Sequence, residues 1–302
     1  MSRNVTVGLD GSAESRAAAE WAAREAELRA LPLRLLHVRE PSSASLTQSR
    51  LPAGAPRWQD WTARMPQEAA EGIQLRHSRV EVTAEQVEGA PVEVLTSAAK
   101  DAELLVLGSR GLGAARGFLV GSVGLAVAAR VERPVVFVRA CELAADEHAM
   151  DPAGIPSAAT AFRPVVLGLD ADSPNDAVLA FAFEEAARRS TALRAVHGWN
   201  LPPYYVYGLS AALGLPEELA VHKAAEVTEA LRPWCQKYPD VRVVEESRVG
   251  SPAQHLIEAS RDSSLIVLGR RTRNSRIGAR IGSVTHAVLH HAAVPVTVVP
   301  HG

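Results

Sequence analysis

The chain repeats itself, and that duplication limits its possible folds more than any other feature. The stretch Val5–Ser12 (VTVGLDGS) returns as Val165–Ser173 (VVLGLDADS), so that Asp170 follows Asp10 at an offset of 160. LLHV, ending at Val38, is answered by AVHG, ending at Gly198, at the same offset. ELLVLGSRG around Gly108 returns as SLIVLGRRT around Gly269, now 161 apart; Gly121-Ser122 and Gly282-Ser283 keep that spacing, as do Arg133–Val138 and Val294–Val299. An offset that slips by one residue over such a length implies two homologous domains with nearly equal loops. They are expected at residues 1–140 and 163–302. The stretch 141–162 between them, rich in Ala, Pro, Ser and acidic residues and without a clear period, reads as a linker. A chain of 302 residues suits two domains of ordinary size.

Each copy alternates short apolar runs with helical stretches. In the first copy, strands are expected at Val5–Leu9, Leu33–Val38, near Arg79–Thr83, at Leu104–Leu107 and at Val135–Arg139. Helices are expected at Ala13–Ala30, Pro91–Lys100 and from Ser122 to about Arg130, with a Ser/Pro-rich crossover after the second strand. Continuous apolar runs suit parallel strands buried on both faces. Their alternation with helices predicts a doubly wound parallel α/β sheet, repeated twice. Such sheets bind ligands at the carboxyl ends of their strands, where the strand order reverses.

Composition removes several classes. Hydrophobic residues make up 47% and charged residues 22%, enough apolar material for a packed core. The net charge of −2, from 32 basic and 34 acidic side chains, sets up no general field for nucleic acid or anionic lipid. No apolar run is long enough to span a bilayer and the start lacks a signal-peptide pattern, so a cytoplasmic protein is expected. Cys141 and Cys235 stand in no ligand-like spacing, which argues against a disulfide framework or a cysteine-based zinc site.

The chemistry is expected after the first and fourth strands. Asp10-Gly11-Ser12 follows the first. A glycine loop written G-x2-G-x9-G-S, from Gly108 and Gly111 to Gly121 and Ser122, follows the fourth. Glycines let the backbone approach a ligand, and Ser122 is a good N-cap for the next helix. The unpaired N–H groups and positive dipole end of that helix suit an anion, and Arg110 and Arg116 add charge. A phosphate is the natural guest. There is no Gly-Lys pair for a Walker A loop, no G-x-S-x-G, no HExxH and no EF-hand loop. Gly111–Arg116 imitates a dinucleotide fingerprint but has Arg where the last glycine belongs.

These residues together resemble the universal stress protein family in its tandem form. The features that carry the resemblance are G-x2-G-x9-G-[ST] after a strand, Asp10 at the end of strand one, and a Pro-Val-Val final strand. The resemblance implies a five-stranded, Rossmann-like sheet per domain, related to the adenine-nucleotide alpha hydrolases. It also implies bound ATP with Mg2+, and roles in stress responses without a defined reaction. It further implies pairing of the domains through Val135–Arg139 and Thr297–Val299, and a homodimer of tandem chains, with no nucleic acid, membrane or named protein partner. In the first repeat Gly8, Leu9 and Asp10 would line the adenosine end, and Val38 would offer backbone bonds to adenine. Leu107, Gly108, Arg110 and Gly111 would pass under the ribose and α-phosphate, with Gly121, Ser122 and Val123 at the β- and γ-phosphates. The matching positions of the second repeat are Gly168, Leu169, Asp170, Gly198, Leu268, Gly269, Arg271, Gly282, Ser283 and Val284.

The second copy departs from the pattern. Thr272 stands where the second glycine belongs, and if that position needs positive φ, a β-branched residue costs about 1–3 kcal/mol. Arg270, Arg271, Arg273, Arg276 and Arg280 act the other way, unless that cluster is merely a solvated loop. Both sites are expected to bind, the first more tightly. Val38 is answered by Gly198, which keeps the backbone groups but loses side-chain packing on a base.

His286 and His290 have a spacing that can hold a metal, yet no third ligand is near and histidines also complement a helix C-terminus, so no metal site is expected. His37 and His197 read as hydrogen-bonded structural histidines before catalytic bases. Trp58, Trp61, Tyr204, Tyr205 and Tyr207 in the crossovers read as packing, with a lid or partner surface as the alternative. HIGH-like and SGGxDS-like signatures of related transferases are absent. The leading function is therefore an ATP-binding regulatory protein with no catalytic residues. The alternatives are a slow ATPase on the same fold, or an interaction scaffold with empty sites.

Overall fold

A computed structural model of the chain describes residues 3–40, 58–109, 121–140, 142–201, 215–272 and 281–302. It divides into two units, Met1–Leu143 and Ala144–Gly302. The first contains β1 (Asn4–Leu9), α1 (Ala13–Arg29), β2 (Leu33–Arg39), α2 (Trp58–Arg76), β3 (Val82–Glu88), α3 (Pro91–Ala98), β4 (Ala102–Ser109), α4 (Ser122–Ala128) and β5 (Val135–Arg139). The second contains β6 (Val165–Gly168), α5 (Asp176–Arg188), β7 (Leu193–Trp199), α6 (Leu215–Lys237), β8 (Val243–Val249), α7 (Pro252–Ala259), β9 (Leu265–Arg271), α8 (Ser283–His291) and β10 (Val296–His301).

Each unit builds a five-stranded parallel sheet, in the order β3-β2-β1-β4-β5 in the first and β8-β7-β6-β9-β10 in the second. Parallel strands need crossovers of consistent hand, so the helices before and after the reversal of strand order fall on opposite faces. Accordingly α1 packs with α2 and α3 with α4, as α5 does with α6 and α7 with α8. The order reverses between β1 and β4, and between β6 and β9. There the two outgoing chains part, leaving a crevice above the sheet.

The inner strands are apolar throughout because both faces are covered: Val5, Val7, Leu104, Leu105 and Val106 are fully buried, as are Val165, Val166, Ile266 and Val267. The outer strand β3 differs. Its sequence VTAEQVE is half-exposed and carries Glu85 and Glu88, and it begins three residues later than the apolar cluster near Arg79 suggests. An edge strand has only one side to bury, so its charges are tolerated and its apolar signal is weak.

The crossovers hold helices that composition hid. Helix α2 runs through Pro66, and α6 runs through Pro233. In α2, Ala70 and Ile73 are buried three apart; in α6, Val227 and Leu231 are buried four apart, the spacing of one helical face. Trp58 and Trp61 fall within α2, while Tyr204, Tyr205 and Tyr207 lie outside the described residues, as does Cys141.

Helix α1 is capped by Ser12, whose side chain accepts from the Ser15 N–H, and it ends at Ala30 in the left-handed region at φ 52°. Ala18, Ala22 and Ala26 give it a face of small residues, which lets it lie close on β1, β4 and β5. On both α1 and α5 a buried ion pair occupies matching positions: Glu25 with Arg29 (2.5 Å) and Glu185 with Arg189.

Residues 144–162 belong to the second unit. A 3-10 turn at Ala144–Glu147 leads into a small loop closed by bridges between His148 and Phe162 and between Met150 and Pro156. Within it the Asp151 carboxylate accepts from the N–H groups of Ala153 and Ile155, and Arg189 lies over the Phe162 ring. The stretch has no helical or strand period because it is held by turns and side chains.

Candidate functional site

A cavity opens at each reversal point. The first has a volume of about 310 Å3 and is lined by Gly8, Leu9, Asp10, Val38, Leu107, Gly108, Gly121, Ser122 and Val123. Arg110, Gly111 and Arg116 lie outside the described residues. The second has a volume of about 630 Å3 and is lined by Gly168, Leu169, Asp170, Gly198, Leu268, Gly269, Arg271, Gly282, Ser283 and Val284. Arg273, Arg276 and Arg280 lie outside the described residues. The structure thus brings the described candidate residues of each repeat onto one crevice.

The floors are made the same way. A Cβ on Gly8 would stand 2.9 Å from Leu107 Cδ2 and 3.2 Å from Leu95 Cδ2; one on Gly168 would stand 2.4 Å from Leu268 Cδ2 and 3.2 Å from Leu256 Cδ1. The glycines let leucines from the neighbouring strand and from α3 or α7 close the floor. Leu95 and Leu256 line the cavities although motif reading did not select them. They belong to apolar helical runs that look like ordinary core in sequence.

The walls differ. A Cβ on Gly108 would stand 2.6 Å from the Glu14 backbone carbon, so the first turn of α1 sits directly on the end of β4. On Gly269 the neighbours are instead His301 Nε2 at 2.8 Å and Val178 Cγ2 at 3.1 Å. The cause is where the helix starts. Ser12 caps α1, whereas Asn175 caps α5, three residues later in the aligned repeat. The late start removes one turn of backbone from above β9 and leaves the wider cavity. Gly198 is also explained by packing: its Cβ would meet Pro252 Cα at 2.5 Å, so the space that Val38 fills in the first repeat is taken by the start of α7.

Helices α4 and α8 point their N-termini at the cavities. Ser122 does not cap α4, as the sequence suggested; it is the first helical residue, and Gly121 is the cap at φ −60°, ψ 155°. Gly282 caps α8 in the same way at φ −65°, ψ 155°. Neither cap supplies a side-chain hydrogen bond, so no side chain of the cap residue satisfies the N–H groups there. These are conformations any residue adopts, and among the described residues a Cβ on Gly282 would meet nothing within 4 Å. Among those residues neither backbone strain nor packing calls for glycine at that position.

Thr272 is the second correction. Among the described residues only Ala30 and Ser190 are non-glycine residues with positive φ, so Thr272 bears no left-handed strain. It directly follows β9, and both its N–H (2.6 Å) and its hydroxyl (2.9 Å) donate to the His301 carbonyl. Strain at Thr272 therefore gives no ground for a weaker second site.

Electrostatics separate the repeats further. Asp10 Oδ1 accepts from the Ser12 N–H at 3.0 Å and hydroxyl at 2.5 Å, which turns the carboxylate back onto its own loop. Asp170 instead pairs with Arg271 at 3.0 Å. Asp172, on the second cavity wall, is held by Lys223 from α6 at 2.5 Å, a bond that lowers the carboxyl pKa and raises that of the lysine. Burial lowers the His301 pKa, and the nearby Arg271 and Arg270 lower it further, against opposing effects of a backbone hydrogen bond and Asp170. His301 escaped motif reading because its counterpart in the first repeat is Ala140.

His37 and His197 share one role. Each Nδ1 lies against a carbonyl at the end of the neighbouring strand, Leu9 O at 2.9 Å and Leu169 O at 3.0 Å, and the His197 Nδ1 also lies 3.5 Å from the Ala171 N–H. The rings tie β2 to β1 and β7 to β6 next to the aspartates. His286 and His290 face each other, Nε2 to Nε2 at 3.2 Å. Among the described residues no group of three or more His, Cys, Asp or Glu is arranged to hold a metal. No described helix is long and apolar enough to cross a membrane.

Comparison with known proteins agrees with this arrangement. The model of the universal stress protein family matches residues 1–139 and again 161–300. Universal stress protein Rv2005c of Mycobacterium tuberculosis is 35% identical over 303 residues, covering 97% of this chain and 96% of its own. Universal stress protein Rv2623 of the same species is 33% identical, covering 98% and 96%. The crystal structure of a universal stress protein from Archaeoglobus fulgidus superposes over the full length of both chains with a TM-score of 0.68 at 17% identity, a likeness of fold. Two matched repeats and full-length relatives above 30% identity lead to one conclusion: the chain belongs to the universal stress protein family, with the family domain present twice.

Proposed function

We propose that each repeat binds an adenine nucleotide, ATP with Mg2+, at its reversal-point cavity, and that the protein acts as a nucleotide-responsive regulator in a stress response. The observation that carries this reading is Gly282. It sits at the N-terminus of α8 in a conformation open to all residues, and no described residue fills the space where its side chain would be. A phosphate oxygen can approach the helix N–H groups there only while that space stays clear.

The remaining residues suit the rest of the ligand. The backbone of Val38 or Gly198 is placed for the adenine edge, the leucine floor for the ring face, and Gly108 or Gly269 for the ribose and α-phosphate. Asp10 and Asp170 stand at the cavity mouths, where a carboxylate meets ribose hydroxyls or a magnesium ion. Regulation is favoured over hydrolysis because Asp10 is turned onto Ser12 and Asp170 is held in an ion pair with Arg271.

Titration of the full chain with ATP and Mg2+ tests the reading. Asp at the first helical position suits the helix dipole, so Ser122→Asp and Ser283→Asp should fold normally while placing a carboxylate against the phosphates. Each variant is expected to lose one binding event and the double variant both. A double variant that binds ATP as the wild type does would exclude these cavities.

A further inference from the structure

The two cavities are copies by descent but not in what lines them. Among the described residues, the ionisable groups on the first cavity are Asp10 and Glu40. On the second they are Asp170, Asp172 and His197, joined by Arg270, Arg271 and His301. Arg270 replaces Ser109 and His301 replaces Ala140 in the aligned repeat. His301 reaches the wall because α5 starts late: its ring takes the place over Gly269 that the first turn of α1 holds over Gly108. Its carbonyl is fixed by two bonds from Thr272, which sets the last residues of β10 against the end of β9.

We infer that His301, together with Arg270 and Arg271, forms a phosphate subsite in the second repeat, which makes that cavity select nucleoside triphosphate over monophosphate. The inference rests on the nucleotide reading above and adds to it which repeat reads the length of the phosphate chain. Cationic donors gain more from the higher charge of a triphosphate than from that of a monophosphate. The first cavity has Ala140 and Ser109 where the second has His301 and Arg270, so it discriminates less.

The same residue links binding to protons. Among the described residues, the charged and titratable groups facing His301 are Arg270 and Arg271 from β9 and Asp170 from just after β6; its neighbour from α5, Val178, is neutral. Burial and the two arginines hold the free imidazole below its ordinary value, so it is largely neutral near pH 7. A polyphosphate beside it favours the charged form. Triphosphate binding at this site therefore takes up a proton, and affinity rises as pH falls through the interval between the free and the bound pKa. A monophosphate takes up less.

The experiment uses the full chain carrying Ser122→Asp, so that binding reports the second repeat, titrated with ATP, AMP and inorganic triphosphate between about pH 5.5 and about pH 7.5, about one unit either side of the ordinary histidine value. ATP is expected to outbind AMP by about tenfold or more, and His301→Gln to reduce that ratio to within about threefold while flattening the pH dependence. His301→Lys is expected to keep the preference and lose the pH dependence, since its charge is permanent over this range. Melting temperatures confirm that each variant is folded. A folded His301→Gln protein with unchanged preference and pH slope overturns the inference while leaving the nucleotide reading standing. If the Ser122→Asp chain binds none of the three probes, the nucleotide reading of the second cavity fails and the inference fails with it.

Discussion

Two glycines of this chain are glycine for different reasons, and the difference can be measured. Gly108 is fixed by packing, because an added Cβ would lie 2.6 Å from the backbone of α1. Gly108→Ala is expected to lower stability by about 1–3 kcal/mol in chemical denaturation. Gly282 is fixed by neither packing nor conformation. Serine is the better N-cap, so Gly282→Ser should leave stability unchanged or raise it by a few tenths of a kcal/mol, yet weaken nucleotide binding. A loss of stability as large as that of Gly108→Ala would contradict this account of Gly282. His301 makes a third case. Its pKa is lower in the folded chain than the ordinary 6.5, so the unfolded chain holds the proton more tightly. Its share of stability is then present above that value and lost as pH falls below it. His301→Gln is expected to narrow the stability gap between pH 8 and pH 5, as thermal melts at the two pH values would show. At this scale the sequence revealed which positions were special, through a loop spacing that occurs twice. It could not reveal why each was special: Thr272 has no positive φ, Ser122 lies inside its helix, and the imidazole on Gly269 comes from a position whose counterpart is Ala140.

Among the elements, α5 sets the second site apart from the first. Its start at Asp176, three aligned residues later than that of α1, accounts for a cavity about twice as large. That shift was hard to read beforehand, because Ser173, Asn175 and the intervening Pro174 all suit a helix N-terminus. Within α5, Glu185 and Arg189 are almost completely buried, at 1% and 0% side-chain exposure. Glu185 keeps a second partner in Arg188 at 2.5 Å, so Arg189→Met is expected to cost less than the roughly 3–5 kcal/mol of a stranded buried charge, and replacing both Glu185 and Arg189 with apolar residues to cost less still. Denaturant unfolding of the single and double variants checks this; equal losses would show that the pair contributes only through its bulk. The inner strands were legible because burial on both faces leaves continuous apolar runs. The edge strand β3 and helices α2 and α6 were not, since one-sided burial dilutes the pattern and Pro66 and Pro233 read as helix breaks.

For the whole molecule, duplication is the governing fact. Two copies of one sheet give two reversal points, and each reversal point gives a cavity lined by the same positions. Since duplication the copies have diverged in lining charge and volume, while keeping the leucine floor, the strand-end aspartate, the histidine tie and the glycine before the last helix. The retained set is what an anion-terminated planar ligand needs; the diverged set is what would tune its affinity. The most direct test is to incubate the purified chain with millimolar ATP and Mg2+, remove free ligand, denature it, and count the nucleotide released by chromatography. The account expects about two adenine nucleotides per chain, one from each cavity. Release of none would contradict it, and would leave the paired glycine loops as structural elements of a scaffold.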